Sequence, residues 1–141
     1  MLLSFGLLSC GITQPSNITG TWVLRNESRE RFLPSAQKKT AAKIVLDANG
    51  TFAAIEIPED LLYGGPQAGL GFVTGKGSWK LQSREGKEQV QLNFEAIAEN
   101  PSVKVPYGTQ LNVSQGSGEL SLFYFQGGDA DQGRKIEFER K

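Results

Sequence analysis

Residues 75–82, GKGSWKLQ, and residues 89–96, QVQLNFEA, carry the clearest structural signal in the chain. In both segments apolar and polar side chains alternate, and a period of two is typical of a β-strand that buries one face. The polar segment REGK at 84–87 separates them, and short glycine-containing links of this kind join antiparallel neighbours. The two segments therefore predict a β-hairpin with one apolar face.

The same alternation recurs along the chain, whereas helical periodicity does not persist over a useful length. Eight segments predict strands, at 20–25, 42–46, 51–57, 75–82, 89–96, 109–114, 119–125 and 135–139. Strands with one apolar and one polar face suit an antiparallel sheet around one core, and closing that sheet removes its exposed edges. We therefore predict an all-β fold, an eight-stranded antiparallel up-and-down barrel, in one domain of residues 18–141.

The lengths of the connections predict how the two ends of this barrel differ. Short turns fall at 47–50, 84–87 and 115–118, and longer links at 26–41, 58–74, 97–108 and 126–134. Successive connections in an up-and-down barrel alternate between the two ends. The short turns and both termini are therefore expected at a closed end, and the long loops at an open end.

Residues 1–10, MLLSFGLLSC, form an uncharged apolar segment that ends in the one cysteine of the chain. The segment is far shorter than the roughly 20 apolar residues that a membrane span needs, and it is typical of the end of a signal peptide. Leu7-Leu8-Ser9-Cys10 resembles the bacterial lipobox, in which the cysteine is lipidated and becomes the mature N-terminus. The alternative is an apolar end with an incidental cysteine.

The lipobox resemblance implies a signal-peptide remnant at residues 1–9, a lipidated Cys10 with a tether at 10–17, and membrane contact through the lipid anchor. It places the protein in the bacterial cell envelope. The residue after the cysteine is Gly11 rather than aspartate, which in enteric-type sorting favours the outer membrane, here facing the periplasm.

Gly20-Thr21-Trp22, at the start of the first predicted strand, resembles the G-x-W signature of lipocalins and of lipocalin-like bacterial lipoproteins. The resemblance covers residues 18–141 and implies that Trp22 plugs the closed end, with a late arginine packed over it. Ile136, Phe138 and Arg140 share one strand face, and the last strand ends where the first begins. We therefore expect Arg140 to lie against Trp22 in a cation–π contact.

Strand parity also predicts which side chains fill the interior, although for strands two, three and seven the other face remains an alternative. The predicted inward residues are Trp22, Leu24, Ile44, Leu46, Ala53, Ile55, Ile57, Trp79, Leu81, Val90, Leu92, Phe94, Leu111, Val113, Leu120, Leu122, Tyr124, Ile136 and Phe138. Eight strands enclose a space that side chains just fill or that holds one small ligand. The sequence pattern does not distinguish an interior filled by side chains from one that holds a ligand.

The long loops at the open end carry further apolar side chains. These are Phe32, Leu33, Leu61, Leu62, Tyr63, Leu70 and Phe72. They are expected either to form a portal around a hydrophobic ligand or to cap a dry barrel mouth, and the segment 61–63 is the best candidate for a contact surface.

Composition excludes several functional classes. The 141 residues contain no histidine, one cysteine, and 15 basic against 15 acidic side chains. A chain with no net charge lacks the overall positive electrostatic potential that attracts nucleic acid. Without histidine there is no Ser-His-Asp triad and no His-ligated zinc. The carboxylates Glu56, Glu59 and Asp60 lack a fixed partner geometry and are typical of a solvated loop. We expect no enzyme activity, no cofactor and no metal.

Two roles therefore remain. The first is a membrane-anchored lipoprotein that binds a small hydrophobic or amphiphilic molecule at the open end of the barrel. The alternative is an envelope protein-interaction or inhibitor module with a filled barrel that binds no small ligand.

Overall fold

The structure, a computed structural model, describes residues 15–33, 35–63, 71–98, 104–115, 119–126 and 133–141. Its strands are β1 Gly20–Leu24, β2 Lys43–Leu46, β3 Thr51–Pro58, β4 Phe72–Arg84, β5 Lys87–Ala98, β6 Tyr107–Ser114, β7 Ser121–Phe125 and β8 Lys135–Arg140. The helices are short, with α1 at Pro15–Ile18, α2 at Asn26–Phe32, α3 at Asp60–Tyr63 and a 3-10 turn at Ser35–Gln37. Each predicted strand is present, and β4 and β5 are longer than their alternation indicated.

The strands form one closed barrel in which each strand pairs antiparallel with the next and β8 pairs with β1. The predicted eight-stranded up-and-down barrel is therefore confirmed, and it has no free sheet edge. The start of β1, the end of β8 and the connections after β2, β4 and β6 share the closed end. The helices α2 and α3 lie in connections at the opposite end, which we call the mouth.

The core lies inside the barrel and takes side chains from every strand. Its buried strand residues are Trp22, Leu24, Ile44, Leu46, Phe52, Ala54, Ile57, Val73, Trp79, Val90, Leu92, Phe94, Leu111, Leu122, Tyr124, Ile136 and Phe138. Three more of the predicted inward residues, Leu81, Val113 and Leu120, are partly buried against this core. Parity thus located most of the interior.

The parity prediction for the first half of β3 is wrong. Phe52 and Ala54 are buried there, whereas Ala53 and Ile55, which were expected inward, are partly exposed. The strand therefore buries the face that the sequence had left as the alternative.

A β-bulge returns β3 to the predicted parity near its end. Glu56 has a positive φ of 48°, and the pairing with β4 shifts register just before Ile57. One extra residue in a strand reverses the faces of the residues that follow. Ile57 is therefore buried as predicted, although the residues before the bulge are not.

Two glycines of β4 let this strand bend closely over β5. A Cβ atom at Gly77 would lie 1.8 Å from the carbonyl oxygen of Asn93, and one at Gly75 would lie 2.8 Å from the ring of Phe94. Only glycine fits at such distances, so these positions allow the curvature that brings Phe94 into the core.

In the described part of the chain, no helix is long and apolar enough to cross a membrane.

Candidate functional site

The closed end is sealed by Trp22 together with α1. The indole Nε1 of Trp22 donates a hydrogen bond to the carbonyl oxygen of Ile18 at 2.8 Å, and both side chains are fully buried. The guanidinium carbon of Arg140 lies 4.7 Å from the centre of the Trp22 ring, so the predicted contact is present. Arg140 also donates hydrogen bonds to the carbonyl oxygens of Thr19 and Asn17.

Gly20 makes room for this arrangement. Its φ is +130°, which side-chain-bearing residues rarely adopt, and a Cβ atom there would lie 3.0 Å from Nη1 of Arg140. Glycine, tryptophan and arginine therefore act together as a structural plug.

The mouth is covered by α3, which carries two of the predicted contact residues. Leu61 and Leu62 are only 5% and 4% exposed and join the core. The hydroxyl of Thr109 donates to the carbonyl oxygen of Leu61 at 2.9 Å, and the hydroxyl of Tyr107 donates to that of Leu62. Side chains of β6 thus fasten α3 across the barrel, and the two leucines face inward rather than outward.

The other predicted mouth residues are only partly brought together. Leu33 is buried and Phe32 is partly buried against the core, while Phe72 opens β4 and is partly exposed. Tyr63 ends α3, and its side chain lies outside the described residues, as does all of Leu70.

A buried carboxyl–phenol pair joins the first residue of α3 to β7. The hydroxyl of Tyr124 donates to Oδ1 of Asp60 at 2.6 Å, and both residues are buried. Burial raises the pKa of Asp60, and hydrogen bonds from Tyr124 and Gln126 offset only part of this effect. Burial, with the Asp60 charge, also raises the pKa of Tyr124 well above its ordinary value.

The expectation that Asp60 lies in a solvated loop is therefore wrong for this residue. Glu59, its neighbour, instead accepts a hydrogen bond from the backbone of Gly71 at 3.2 Å. The signal that points to a polar layer at the mouth is the pair Tyr107 and Thr109, which occupy inward positions of β6 ahead of the apolar Leu111.

A second polar cluster holds α2 against β8. Nη1 of Arg25 lies 2.9 Å from Oε1 of Glu137, and Ser121 donates to the other carboxylate oxygen at 2.8 Å. The hydroxyl of Ser28 in α2 accepts a hydrogen bond from the backbone N–H of Glu137 at 3.0 Å. The connections that carry α2 and α3 are thus fastened to the barrel by hydrogen bonds.

The described side chains between these two ends pack closely against one another. Trp22, Phe94 and Phe138, the largest of the fully buried side chains, have 0% exposed surface. Leu92, Leu111 and Ile136 are equally inaccessible. No space that admits a water molecule therefore touches these described residues, and the packing is that of a protein core.

A cleft lies on the outside of the barrel instead, over β4 and β5. Its volume is about 480 Å³, and it is lined by Ser78, Trp79, Lys80, Gln82, Gln91 and Asn93. The cross-strand pairs Ser78 with Asn93 and Lys80 with Gln91 place these polar side chains next to one another. Sequence reasoning treated them only as the polar face of the strands.

The remaining predicted site residue, Cys10, lies outside the described residues, together with the rest of 1–14. Within the described ranges, no group of three or more acidic or cysteine side chains is placed to hold a metal ion. Comparisons with protein-family models, with curated proteins and with solved structures found no match to this chain.

Proposed function

We propose that this protein is a lipid-anchored, non-catalytic binding module of the bacterial envelope, lipocalin-like in its barrel and bound to the outer membrane on its periplasmic side. The barrel is a solid scaffold, and the partner binds to its outer surface. This is the second of the two roles that the sequence left open.

The observation that carries this proposal is the packing of the interior. A pocket for a small hydrophobic molecule typically measures about 300 Å³ or more, whereas Trp22, Phe94 and Phe138 leave no exposed surface inside the barrel. The mouth is closed by Leu61 and Leu62 of α3. A partner is therefore bound on the outside, where the cleft over β4 and β5 is polar.

The position of α1 supports the orientation of the anchored protein. Lipidation of Cys10 attaches the chain to the membrane five residues before α1 begins at Pro15, and an extended chain of this length reaches about 17 Å. Because α1 lies at the closed end, the anchor holds the closed end toward the membrane, and the mouth faces away from it.

Native mass spectrometry of the full-length protein purified from its own envelope tests the proposal. We expect the lipidated chain without a second small hydrophobic molecule, and cross-linking before lysis is expected to capture an envelope component. A hydrophobic molecule that stays bound at one copy per chain would instead support the ligand-binding role and contradict a solid scaffold.

One observation favours that ligand-binding role as a second candidate. The helix α3 has four residues, and the hydroxyls of Tyr107, Thr109 and Tyr124 hold it over the mouth. Release of these hydrogen bonds would expose Leu61 and Leu62 together with the apolar mouth. Binding of a hydrophobic molecule by a variant that releases α3 would therefore distinguish the two roles.

A further inference from the structure

The outer face of β4, β5 and β6 carries a concentration of carboxamide side chains. Their positions have the opposite parity to Trp79, Val90 and Leu111, which are buried, so these side chains point outward. We call this surface the amide face and define it by Ser78, Lys80, Gln82, Gln89, Gln91, Asn93, Gln110 and Asn112.

Strand register arranges the amide face in rows across the three strands. One row runs from Lys80 to Gln91 and Gln110. The next runs from Gln82 to Gln89 and Asn112. Directly opposed residues on neighbouring strands have Cβ atoms about 5 Å apart, so the rows form one continuous polar surface.

The row that begins at Ser78 and Asn93 ends at Gly108. A Cβ atom at Gly108 would lie 3.1 Å from Nε2 of Gln91, so glycine leaves room for the Gln91 amide to lie over β6. The cleft of about 480 Å³ opens beside this amide, between Gln91, Asn93 and the side chains of β4.

The chemistry of the amide face excludes several ligand classes. Lys80 is its one charged side chain, so it lacks the several cations that a phosphate or polyanion requires. It has no carboxylate for a hard cation, and its polar lining does not suit an apolar molecule.

Carboxamides match a ligand rich in hydroxyl groups. Each Asn or Gln offers two N–H donors and a carbonyl with two acceptor sites, and each hydroxyl is both a donor and an acceptor. The bonds from Gln82 to Gln91 and from Gln89 to Asn112, both 3.1 Å long, use one donor or one acceptor of each group. Oε1 of Gln89 is buried without a hydrogen-bond partner, and the unused groups of the other carboxamides lie on the outward-facing side of the strands.

An aromatic side chain borders this surface. Phe123 of β7 is paired directly with Asn112 and is partly exposed. Its ring contacts Phe125 edge-on, with centroids 5.4 Å apart, and Nζ of Lys135 lies 4.3 Å from its centroid. A held aromatic ring beside carboxamides suits a sugar, which has an apolar ring face and a hydroxyl-bearing edge.

We propose that the amide face, with Phe123 at its border, binds an uncharged glycan. This inference rests on the proposal that the barrel works through its outer surface, and it names the class of partner. It does not depend on lipidation of Cys10.

Binding of the full-length protein to insoluble neutral glycans tests the inference, with chitin and cellulose as two separate probes and dextran sulfate as a polyanion. The two neutral probes distinguish an acetamido sugar chain from a plain glucose chain. We expect saturable binding to at least one of them, and little change when the salt concentration rises.

Three variants locate the binding surface. The double substitution Gln91→Ala with Asn93→Ala removes two cleft amides, and we expect the dissociation constant to rise about tenfold or more. Gln91→Glu keeps the side-chain size, removes both N–H donors and is expected to weaken binding in the same direction. Asn26→Ala removes an exposed amide of α2 at the mouth and is expected to leave binding unchanged.

Three results would overturn the inference. These are failure to bind either neutral glycan, equal binding by the wild type and a folded Gln91→Glu variant, and binding to dextran sulfate alone that disappears in Lys80→Gln. None of them bears on the solid scaffold, which fails only if native mass spectrometry finds a hydrophobic molecule inside the barrel. The two proposals can therefore fail separately.

Discussion

Two carboxyl groups, those of Asp60 and Glu137, lie in surroundings that shift their pKa values in opposite directions. For Asp60 burial is the largest effect and raises the pKa above 3.8. For Glu137 burial also acts to raise the pKa, but hydrogen bonds from Ser121 and Arg25, with the charges of Lys135 and Arg25, lower it overall. The folded state therefore disfavours the Asp60 charge and favours the Glu137 charge.

The contribution of Asp60 to stability is expected to fall as pH rises. A raised pKa means that folded Asp60 binds its proton more tightly than unfolded Asp60, so stability is lost as pH rises from the ordinary value of 3.8 through the raised one. Asp60→Asn removes this loss and keeps an oxygen that accepts from Tyr124. Relative to the wild type, the unfolding free energy of the variant should therefore rise as pH increases above 3.8 and stop rising once pH exceeds the raised pKa of Asp60.

Urea denaturation followed by tryptophan fluorescence at several pH values measures this change. Glu137→Gln is the matched control with the opposite sign, because its lowered pKa gives stability that is lost as pH falls. A stability difference between Asp60→Asn and the wild type that does not vary with pH would contradict a raised pKa at Asp60.

At the scale of single elements, the strands follow local side-chain alternation, whereas the short helix α3 depends on contacts with the rest of the barrel. The strands follow their side-chain pattern, except where the bulge at Glu56 reverses the parity of β3. The helix α3 has four residues, too few to be stable alone. Its place over the mouth depends on the burial of its own Leu61 and Leu62 and on hydroxyl groups of β6.

Loss of those hydroxyl groups is expected to loosen α3. The double substitution Tyr107→Phe with Thr109→Val removes two hydrogen bonds to backbone carbonyls, at about 0.5–1.5 kcal/mol each. We expect the unfolding free energy to fall by about 1–3 kcal/mol, and no hydrophobic molecule to co-purify with the variant. Thr21→Val, on the outer face of β1, is the control and should change stability little.

Denaturation midpoints and native mass spectrometry of the same samples check this prediction. Unchanged stability would show that the hydroxyls do not hold α3. A hydrophobic molecule bound to the double variant but not to Thr21→Val would favour the ligand-binding role over the solid scaffold.

At the scale of the whole molecule, closure of the barrel places the start of β1 and the end of β8 at one end of the fold. The register pairs Trp22 with Arg140, so α1 and the C-terminal strand meet at the closed end. An anchor before α1, as proposed, would hold the closed end toward the membrane and leave the mouth facing away from it.

The lipid anchor is expected to depend on Cys10 alone. Cys10→Ala removes the thiol that would carry the lipid, so we expect loss of fatty-acid labelling and release of the protein from the membrane fraction of its own host. Labelling with a fatty-acid analogue and cell fractionation measure both effects. Ser9→Ala keeps a small residue before the cysteine and should stay anchored; a Cys10→Ala protein that remains membrane-bound would refute the anchor.

The sequence predicted which residues lie near the mouth, but not whether their side chains are buried in the core. Phe32, Leu33, Leu61, Leu62 and Phe72 were assigned to the long loops from their sequence positions. Whether such side chains surround a ligand or seal a core depends on where each loop lies over the barrel, and no local pattern specifies that. The burial of Leu61 and Leu62 is a result of long-range contacts with β6.

The amino-acid sequence by itself determined the all-β class, the number of strands, the different character of the two ends and the contact between Trp22 and Arg140. The first three features follow from alternation, turn residues and loop lengths, which act over a few neighbouring residues. The contact was expected from the resemblance of Gly20-Thr21-Trp22 to the lipocalin signature, together with the parity of the last strand. The bulge in β3, the Asp60–Tyr124 pair, the packed interior and the cleft of the amide face were decided by the tertiary structure alone. Each brings together groups far apart in the chain, whose distances and burial exist only once the barrel has closed.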